Sequence, residues 1–404
     1  MKIVIPGGSG QVGMLLARKF HSDGYDVRAS SLNSPPGKPR RKTFANAGGR
    51  RDKWLRGARS EARGKILPSG SYHLFLLRFG LRAMFGAYND PIMKYRNLGR
   101  TGLNVSTLGL GGVAFGDMYG TMGPGVADAC VRKAIDLGIN LIDTSPFYGQ
   151  TRSESVLGDI LADGLRDKIF LCSKAGRNTA TDFDFSPAAM ERSVEASLKR
   201  LRTDHLDVLI AHDIEFVTDF EPIFTETAAV LHKLKAAGKC RFIGMSGHPL
   251  GILRTAIERC KLDVVISYTH FTLQNQRLLT EVLPTAEQHG VGVINASPLT
   301  MGLLSDAGAQ DWHPAPAIVR AAGKQAAALC KSRGVSIAKL GMQFCTREER
   351  ISATLTGASQ ASEVEANVKA LETPLDEGLL REVQAILAPV MNVTWASGNW
   401  PFQA

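Results

Sequence analysis

No apolar run in this chain approaches the ~20 residues that cross a bilayer, so a membrane helix is not expected. The N-terminus has one early lysine followed directly by a glycine-rich turn. It lacks the long apolar stretch of a secretory signal, and a cytoplasmic protein is expected. Metal-site spacings are missing too. Cys130, Cys172, Cys240, Cys260, Cys330 and Cys345 form no C-x-x-C pair and no Cys/His pattern suited to zinc. They are expected as reduced, buried thiols, and no metal is expected.

A net charge of +10 raises the question of a nucleic-acid partner, but the charge is concentrated in one stretch. Residues 29–70 carry eleven Lys/Arg against only Asp52 and Glu61, which leaves about +1 for the rest of the chain. The basicity is therefore a property of one segment and not of a whole face. Neither a nucleic acid nor a membrane is expected as a partner, the alternative being a nucleic-acid or membrane-surface tail formed by this basic segment.

Residues 1–28 open with an apolar strand at Ile3–Ile5, then Gly7, Gly10 and Gly13, then a helix expected from about Gln11 to Ser22. This resembles the first βα unit of nucleotide-sugar epimerases and short-chain dehydrogenases, in which glycines let the backbone approach a pyrophosphate. No alternating βαβαβ pattern follows, so the unit reads as truncated, joined on by a fusion or frame error. Residues 29–92 read as a basic linker of low order, rich in Pro, Gly and Arg up to about residue 65. An apolar stretch near residues 71–88 is compatible with a short amphipathic helix.

From Met93 the pattern becomes regular. MKYRNLGRTGLNVS reads as a hairpin, and Thr107–Gly111 as a first strand. Further strands are expected at Ile139–Asp143, Ile169–Lys174, Leu206–Ala211, Phe242–Ser246, Val264–Ser267, Val291–Ala296 and Ile351–Leu355. Helices are expected at Ala127–Leu137, Pro187–Leu201, Phe224–Ala237, Leu250–Arg259 and Ala317–Ser332. Eight βα units over residues 93–404 fit an α/β fold of the (β/α)8 TIM-barrel type with an N-terminal hairpin.

In such a barrel the reactive groups sit at the C-terminal ends of strands. Three consecutive strand ends supply Asp143, Lys174 and His212, with Tyr148 just beyond the first. Singly, each has a plainer reading: a turn cap, a packing ring, a solvated charge, a structural histidine. Four at one rim are hard to explain that way. Together they suit hydride chemistry at a hydroxyl or carbonyl. A lysine beside a tyrosine should lower the phenol's pKa, an aspartate should hold the lysine, and a histidine should orient the substrate oxygen.

The segments YRNLGRTGLNVSTLGLGG, NLIDTSPFYG, FLCSKAG and LDVLIAHD resemble the aldo-keto reductase superfamily across essentially all of 93–404. AHDIEF, ASPLTMGLL, DWHPA and ILAPVMNVTWASG narrow the resemblance to its L-galactose dehydrogenase and aldose 1-dehydrogenase branch. The resemblance implies a catalytic tetrad of Asp143, Tyr148, Lys174 and His212. It also implies cofactor contacts at Ser246, at Ser297, Leu299, Gly302 and Leu304, and at Gly357, Ser359, Glu363 and Asn367.

An acid at Glu363, where many relatives carry Arg or Gln, favours NAD, with NADP as the alternative. Ala366 replaces a common adenosine-contacting Glu, and Gly247 replaces an Asn for the nicotinamide amide. His248, Tyr268, His270 and Trp312 lie in loops suited to a sugar, though a packing or surface role is the commoner fate of each. The expected reaction is oxidation of an L-galactose or L-fucose type aldose to its lactone. The alternatives are a general NADPH-dependent aldehyde or ketone reductase and a non-catalytic nicotinamide-binding regulatory subunit. The partner is a small-molecule sugar or carbonyl substrate, and the chain is expected as a monomer or weak homo-oligomer.

Overall fold

A computed structural model of the chain describes residues 2–6, 26–30 and 93–401. The helix expected over Gln11–Ser22, the low-order linker and the amphipathic stretch near 71–88 lie outside the described residues. The chain divides into two compact units, 1–88 and 89–404. In the first, β1 (Lys2–Pro6) and β2 (Asp26–Ser30) pair in parallel, Lys2 opposite Asp26 through Pro6 opposite Ser30.

The second unit begins with an antiparallel hairpin of β3 (Tyr95–Asn97) and β4 (Asn104–Ser106). Eight parallel strands then close into a (β/α)8 barrel. They are β5 (Leu108–Gly111), β6 (Leu141–Asp143), β7 (Phe170–Ala175) and β8 (Leu206–Ala211). The circle continues with β9 (Cys240–Gly247), β10 (Val264–Tyr268), β11 (Gly292–Ala296) and β12 (Ala353–Gly357), which pairs with β5.

Around the barrel run α1 (Val126–Asp136), α2 (Arg152–Leu161), α3 (Pro187–Leu201) and α4 (Ala228–Ala236). They are followed by α5 (Leu250–Cys260), α6 (Leu278–Glu281), α7 (Leu283–His289) and α8 (Ala317–Ser332). The last are α9 (Ile337–Arg347), α10 (Ala361–Ala370) and α11 (Glu377–Leu387). The single helix expected over Phe224–Ala237 instead starts as a wider turn at Ile223–Thr227, just after Pro222. Among the described residues, no helix is long and apolar enough to cross a membrane. All six cysteines are free and buried.

Two apolar clusters follow from the alternation of strand side chains. The larger lies between strands and helices. The smaller fills the barrel with Leu141, Cys172, Val208, Ile210, Val264, Ile266, Ile294, Ala353 and Leu355. Leu98, Leu103 and Val105 of the hairpin segment belong to this inner cluster, so the hairpin plugs one end of the barrel. Stepping two residues along β6 from Leu141 gives Asp143, along β7 from Cys172 gives Lys174, and from Ile210 gives His212. The pleat that points the plug inward therefore points these three polar groups into the open end, one layer above it.

Candidate active site

Asp143, Lys174 and His212 are almost completely buried, at 3%, 3% and 4% exposure. Strand register puts Asp143 opposite Cys172 and Lys174 opposite Ile210. Lys174 Nζ donates to both carboxylate oxygens of Asp143 (2.7 and 2.6 Å) and to Thr144 O (2.8 Å). Its remaining contact is Tyr148 Oη at 3.1 Å. Tyr148 lies in the loop between β6 and α2, and that loop is held by close backbone packing. A Cβ on Gly116 would stand 2.5 Å from the Tyr148 carbonyl carbon, and Gly149 adopts φ 63. Only glycines fit that contact, so both fix where the phenol stands.

Burial acts against the Lys174 charge, but Asp143 outweighs it and the ammonium is held above its usual range. Burial also pushes the Tyr148 phenol up, and the Lys174 charge offsets only part of that. The net lowering expected from sequence is not found. The lysine acts in the expected direction, but complete desolvation of the ring is the larger effect. The phenol is set up to hold its proton.

His212 packs edge-on to Tyr148, ring centroids 5.9 Å apart. Burial drops its imidazole to about 3, helped by Lys174 and Arg177 and opposed by Asp213, so the ring is neutral. Its Nδ1 lies 3.0 Å from Ser145 Oγ. Its Nε2 lies 3.6 Å from an Asp213 oxygen, too far for a hydrogen bond but close enough for attraction. That carboxylate favours the tautomer with the proton on Nε2, with Ser145 donating to Nδ1. A neutral Nε2–H donor then stands beside a protonated phenol.

The site also holds Ser145, Arg177, Asp213 and Glu215, all within or beside the sequence motifs that carry the tetrad. Arg177 pairs with Asp213 and stacks its guanidinium 3.8 Å from the Phe147 ring centre. Glu215 is fully buried and accepts at Oε1 from His248 N (3.0 Å), Tyr268 Oη (3.2 Å) and Ser397 Oγ (3.1 Å). Of the rim residues considered from sequence, His248, Tyr268 and His270 meet around Glu215 or each other. Trp312 is more than half exposed and leans toward Tyr119.

The expected cofactor residues fall at the open end, in unequal condition. Ser246 Oγ is engaged with Asp213, accepting from its amide at 2.9 Å and donating to Oδ1 at 3.2 Å. After β11 the loop turns through left-handed residues at Ser297, Thr300, Met301 and Gly302. Leu299 packs over Gly341, and Leu304 is fully buried with its amide bonded to Leu299 O (3.0 Å). Leu304 therefore supports the loop and offers no face to a ligand.

Gly357 is exposed, and a Cβ there would meet nothing closer than Gly111 O at 3.9 Å, which leaves an open cradle between β12 and β5. Glu363 folds back onto Ser359, accepting from its amide (2.6 Å) and hydroxyl (3.0 Å) at the start of α10. Asn367 Nδ2 donates to Thr356 Oγ1 at 3.4 Å. Ser267, Thr269 and Thr300 hold buried hydroxyls without a partner near the ends of β10 and β11. Orphaned hydroxyls, a glycine cradle and the positive end of α10 suit an elongated polar ligand carrying phosphate.

The sequence profile of the Aldo/keto reductase family matches residues 107–388. The chain belongs to that family. Aldo/keto reductases use nicotinamide cofactors and act on small-molecule carbonyl or sugar substrates, so the protein is an oxidoreductase. It is 43% identical over 315 residues to L-galactose dehydrogenase of Arabidopsis thaliana, covering 76% of this chain and 98% of that protein. It is 34% identical over 261 residues to D-arabinose 1-dehydrogenase of Saccharomyces cerevisiae, covering 61% and 76%. Among solved structures, an aldo-keto reductase from Bacillus halodurans in its holo form superposes with a TM-score of 0.62. The two are 26% identical, and the match covers 76% of this chain and 99% of that one.

Proposed function

We propose that this aldo/keto reductase oxidises the anomeric carbon of an L-galactose or L-fucose type aldose to the lactone, with NAD. The observation that carries the reading is Lys174 Nζ, shared between the Asp143 carboxylate and the Tyr148 phenol. Kinship along nearly the whole length of a plant L-galactose dehydrogenase supports the choice of sugar.

A nicotinamide held at the open end of the barrel would supply the hydride acceptor and, in its oxidised form, a positive charge. Tyr148 is the group that takes the proton from the C1 hydroxyl, once it has given up its own proton to solvent at the open end. Lys174 stabilises the phenolate, and Asp143 keeps Lys174 charged and aimed. His212 donates from Nε2 to the reacting oxygen and fixes its direction, with Ser145 holding the tautomer. Deep burial keeps water from competing for these bonds.

The residues that would hold the cofactor are the loop from Ser297 through Gly302, the cradle at Gly357, and Ser359, Glu363 and Asn367 at α10. Ser246 joins them by positioning Asp213. A carboxylate at Glu363 repels a 2′-phosphate and leaves a second oxygen for a ribose hydroxyl, which favours NAD over NADP.

A reductase reading draws on one observation, the raised Tyr148 phenol, which suits an acid that protonates a carbonyl. The two are separated by assaying both directions at one pH, with L-galactose plus NAD against short aldehydes plus NADPH. Faster lactone formation upholds the dehydrogenase reading, and faster aldehyde reduction replaces it.

A further inference from the structure

His212 stands between two buried ion pairs. On one side Lys174 of β7 meets Asp143 of β6. On the other, Arg177 in the loop after β7 meets Asp213, the residue that follows His212. The first pair belongs to the reacting centre. The second contributes no atom to the hydride transfer, yet its side chains are only 15% and 6% exposed. Its carboxylate lies 3.6 Å from His212 Nε2, the nitrogen that faces the reacting oxygen.

A lone carboxylate at that distance would work against His212. It favours the imidazolium, and an imidazolium would turn its Nε2 proton onto the carboxylate and away from the substrate. Asp213 is nonetheless ionised in the fold. Burial pushes its carboxyl up, but His212 and then Arg177 outweigh it and hold it below its usual range. The guanidinium cancels that charge, pairing through Nη1 with Oδ2, while Ser246 Oγ donates to Oδ1 at 3.2 Å.

Three aromatic rings fix the guanidinium. Its central carbon lies 3.8 Å from the Phe147 ring centre and 5.3 Å from those of Phe183 and Phe216, which stack on each other at 4.7 Å. A planar guanidinium suits such a site, and an ammonium lacks the flat face. Phe147 in turn packs edge-on to His212 at 5.9 Å, so Arg177 touches two neighbours of the imidazole.

No other charge takes over this task. His212 is faced by Tyr148, Lys174, Arg177 and Asp213. Glu215, His248 and Tyr268 face Asp213 instead. Burial keeps these three uncharged in mildly acid solution, with Glu215 pushed up to about 8, His248 dropped to about 4 and Tyr268 raised well above its ordinary range. The charges around the imidazole therefore cancel as long as both pairs are closed.

We propose that Arg177 is a positioning residue: by closing the Asp213 charge it keeps His212 an uncharged donor with Nε2–H aimed at the reacting oxygen. The inference rests on His212 donating to that oxygen, and it holds for a sugar or a carbonyl substrate alike.

The test is the pH dependence of kcat/KM for the full chain and its variants. Each preparation is held at one pH and diluted briefly into assays near pH 5.5 and near pH 7.5, so the ratio of the two values does not depend on the fraction folded. In Arg177→Met the imidazole should return toward its ordinary value of about 6.5, and the ratio should fall about tenfold below that of the wild type. Arg177→Lys keeps the charge, and Arg177→Met with Asp213→Asn removes both charges, so each should restore the ratio. If Arg177→Met does not fold, Arg177→Gln gives the same reading, since it can donate to Asp213 but carries no charge. A wild-type ratio in the uncharged variant, or a fall that persists in the double variant, would overturn the proposal. The substrate is L-galactose with NAD, or a short aldehyde with NADPH if no aldose yields NADH. His212→Gln separates the two failures, because turnover kept at the wild-type level there would remove the donor role of His212 itself.

Discussion

Lys174 on β7 and Asp143 on β6 form a buried pair in which one ammonium meets both carboxylate oxygens, at 2.7 and 2.6 Å. Neither group is more than 3% exposed, so each depends on the other for its charge. Replacing one member of a buried pair strands the other and costs about 3–5 kcal/mol. Asp143→Asn should lower the unfolding free energy by that order in urea titrations. Lys174→Met with Asp143→Leu together should cost clearly less, because no charge is left alone. Equal losses would mean that the pair does not act as a unit.

Tyr148→Phe removes one oxygen and little packing. Turnover should fall by about 10²–10⁴, the usual worth of a positioned acid or base. Cofactor affinity, followed by quenching of protein fluorescence, should stay within about twofold. A variant that keeps a tenth of its activity would rule out Tyr148 as the proton-transferring group.

Two buried groups shape the pH dependence of stability with opposite signs. Burial first, and then Asp213, push the Glu215 carboxyl up to about 8, against the hydrogen bonds it accepts. Its neutral form is favoured in the fold, so its contribution is complete below its ordinary 4.5 and is lost as pH rises toward 8. His212, held neutral with its value near 3, contributes fully above 6.5 and loses that as pH falls toward 3. Glu215→Gln should therefore flatten the melting temperature between pH 4.5 and 8, by a few degrees over that window. The acid limb should remain. An unchanged alkaline slope in scanning calorimetry would refute the assignment to Glu215.

Much of the barrel was legible in the sequence because strand and helix periods differ. Leu206–Ala211, Pro187–Leu201 and Ala317–Ser332 are found with the ends expected for them. α9 is not among the helices named from sequence, although its amphipathic period is as marked as theirs.

Asp143, Lys174 and His212 were legible as strand-end groups that the inward pleat brings together, and Tyr148 as the tyrosine in the loop just beyond β6. Glu215 was not, since its meaning comes from Ser397, 182 residues away. The phenol's raised pKa was missed for a related reason, because a lysine neighbour can be read from sequence but the depth of burial cannot.

The preference between the two nicotinamide cofactors turns on one carboxylate in this account. Glu363→Arg should weaken NAD and strengthen NADP, shifting the ratio of their dissociation constants by at least about tenfold. The lost bonds to Ser359 should loosen the start of α10, which makes a rise in both constants the background to the shift. A ratio unmoved by the substitution would show that the 2′ position is read elsewhere.

The most direct measurement is NADH formation at 340 nm by the full chain with L-galactose, L-fucose, D-arabinose and D-glucose, alongside the Tyr148→Phe variant. Turnover of the L-galactose type sugars with NAD is expected, with little of D-glucose and with loss of that turnover in the variant. Absence of NADH with every aldose, together with rapid NADPH-driven reduction of simple aldehydes, would contradict it.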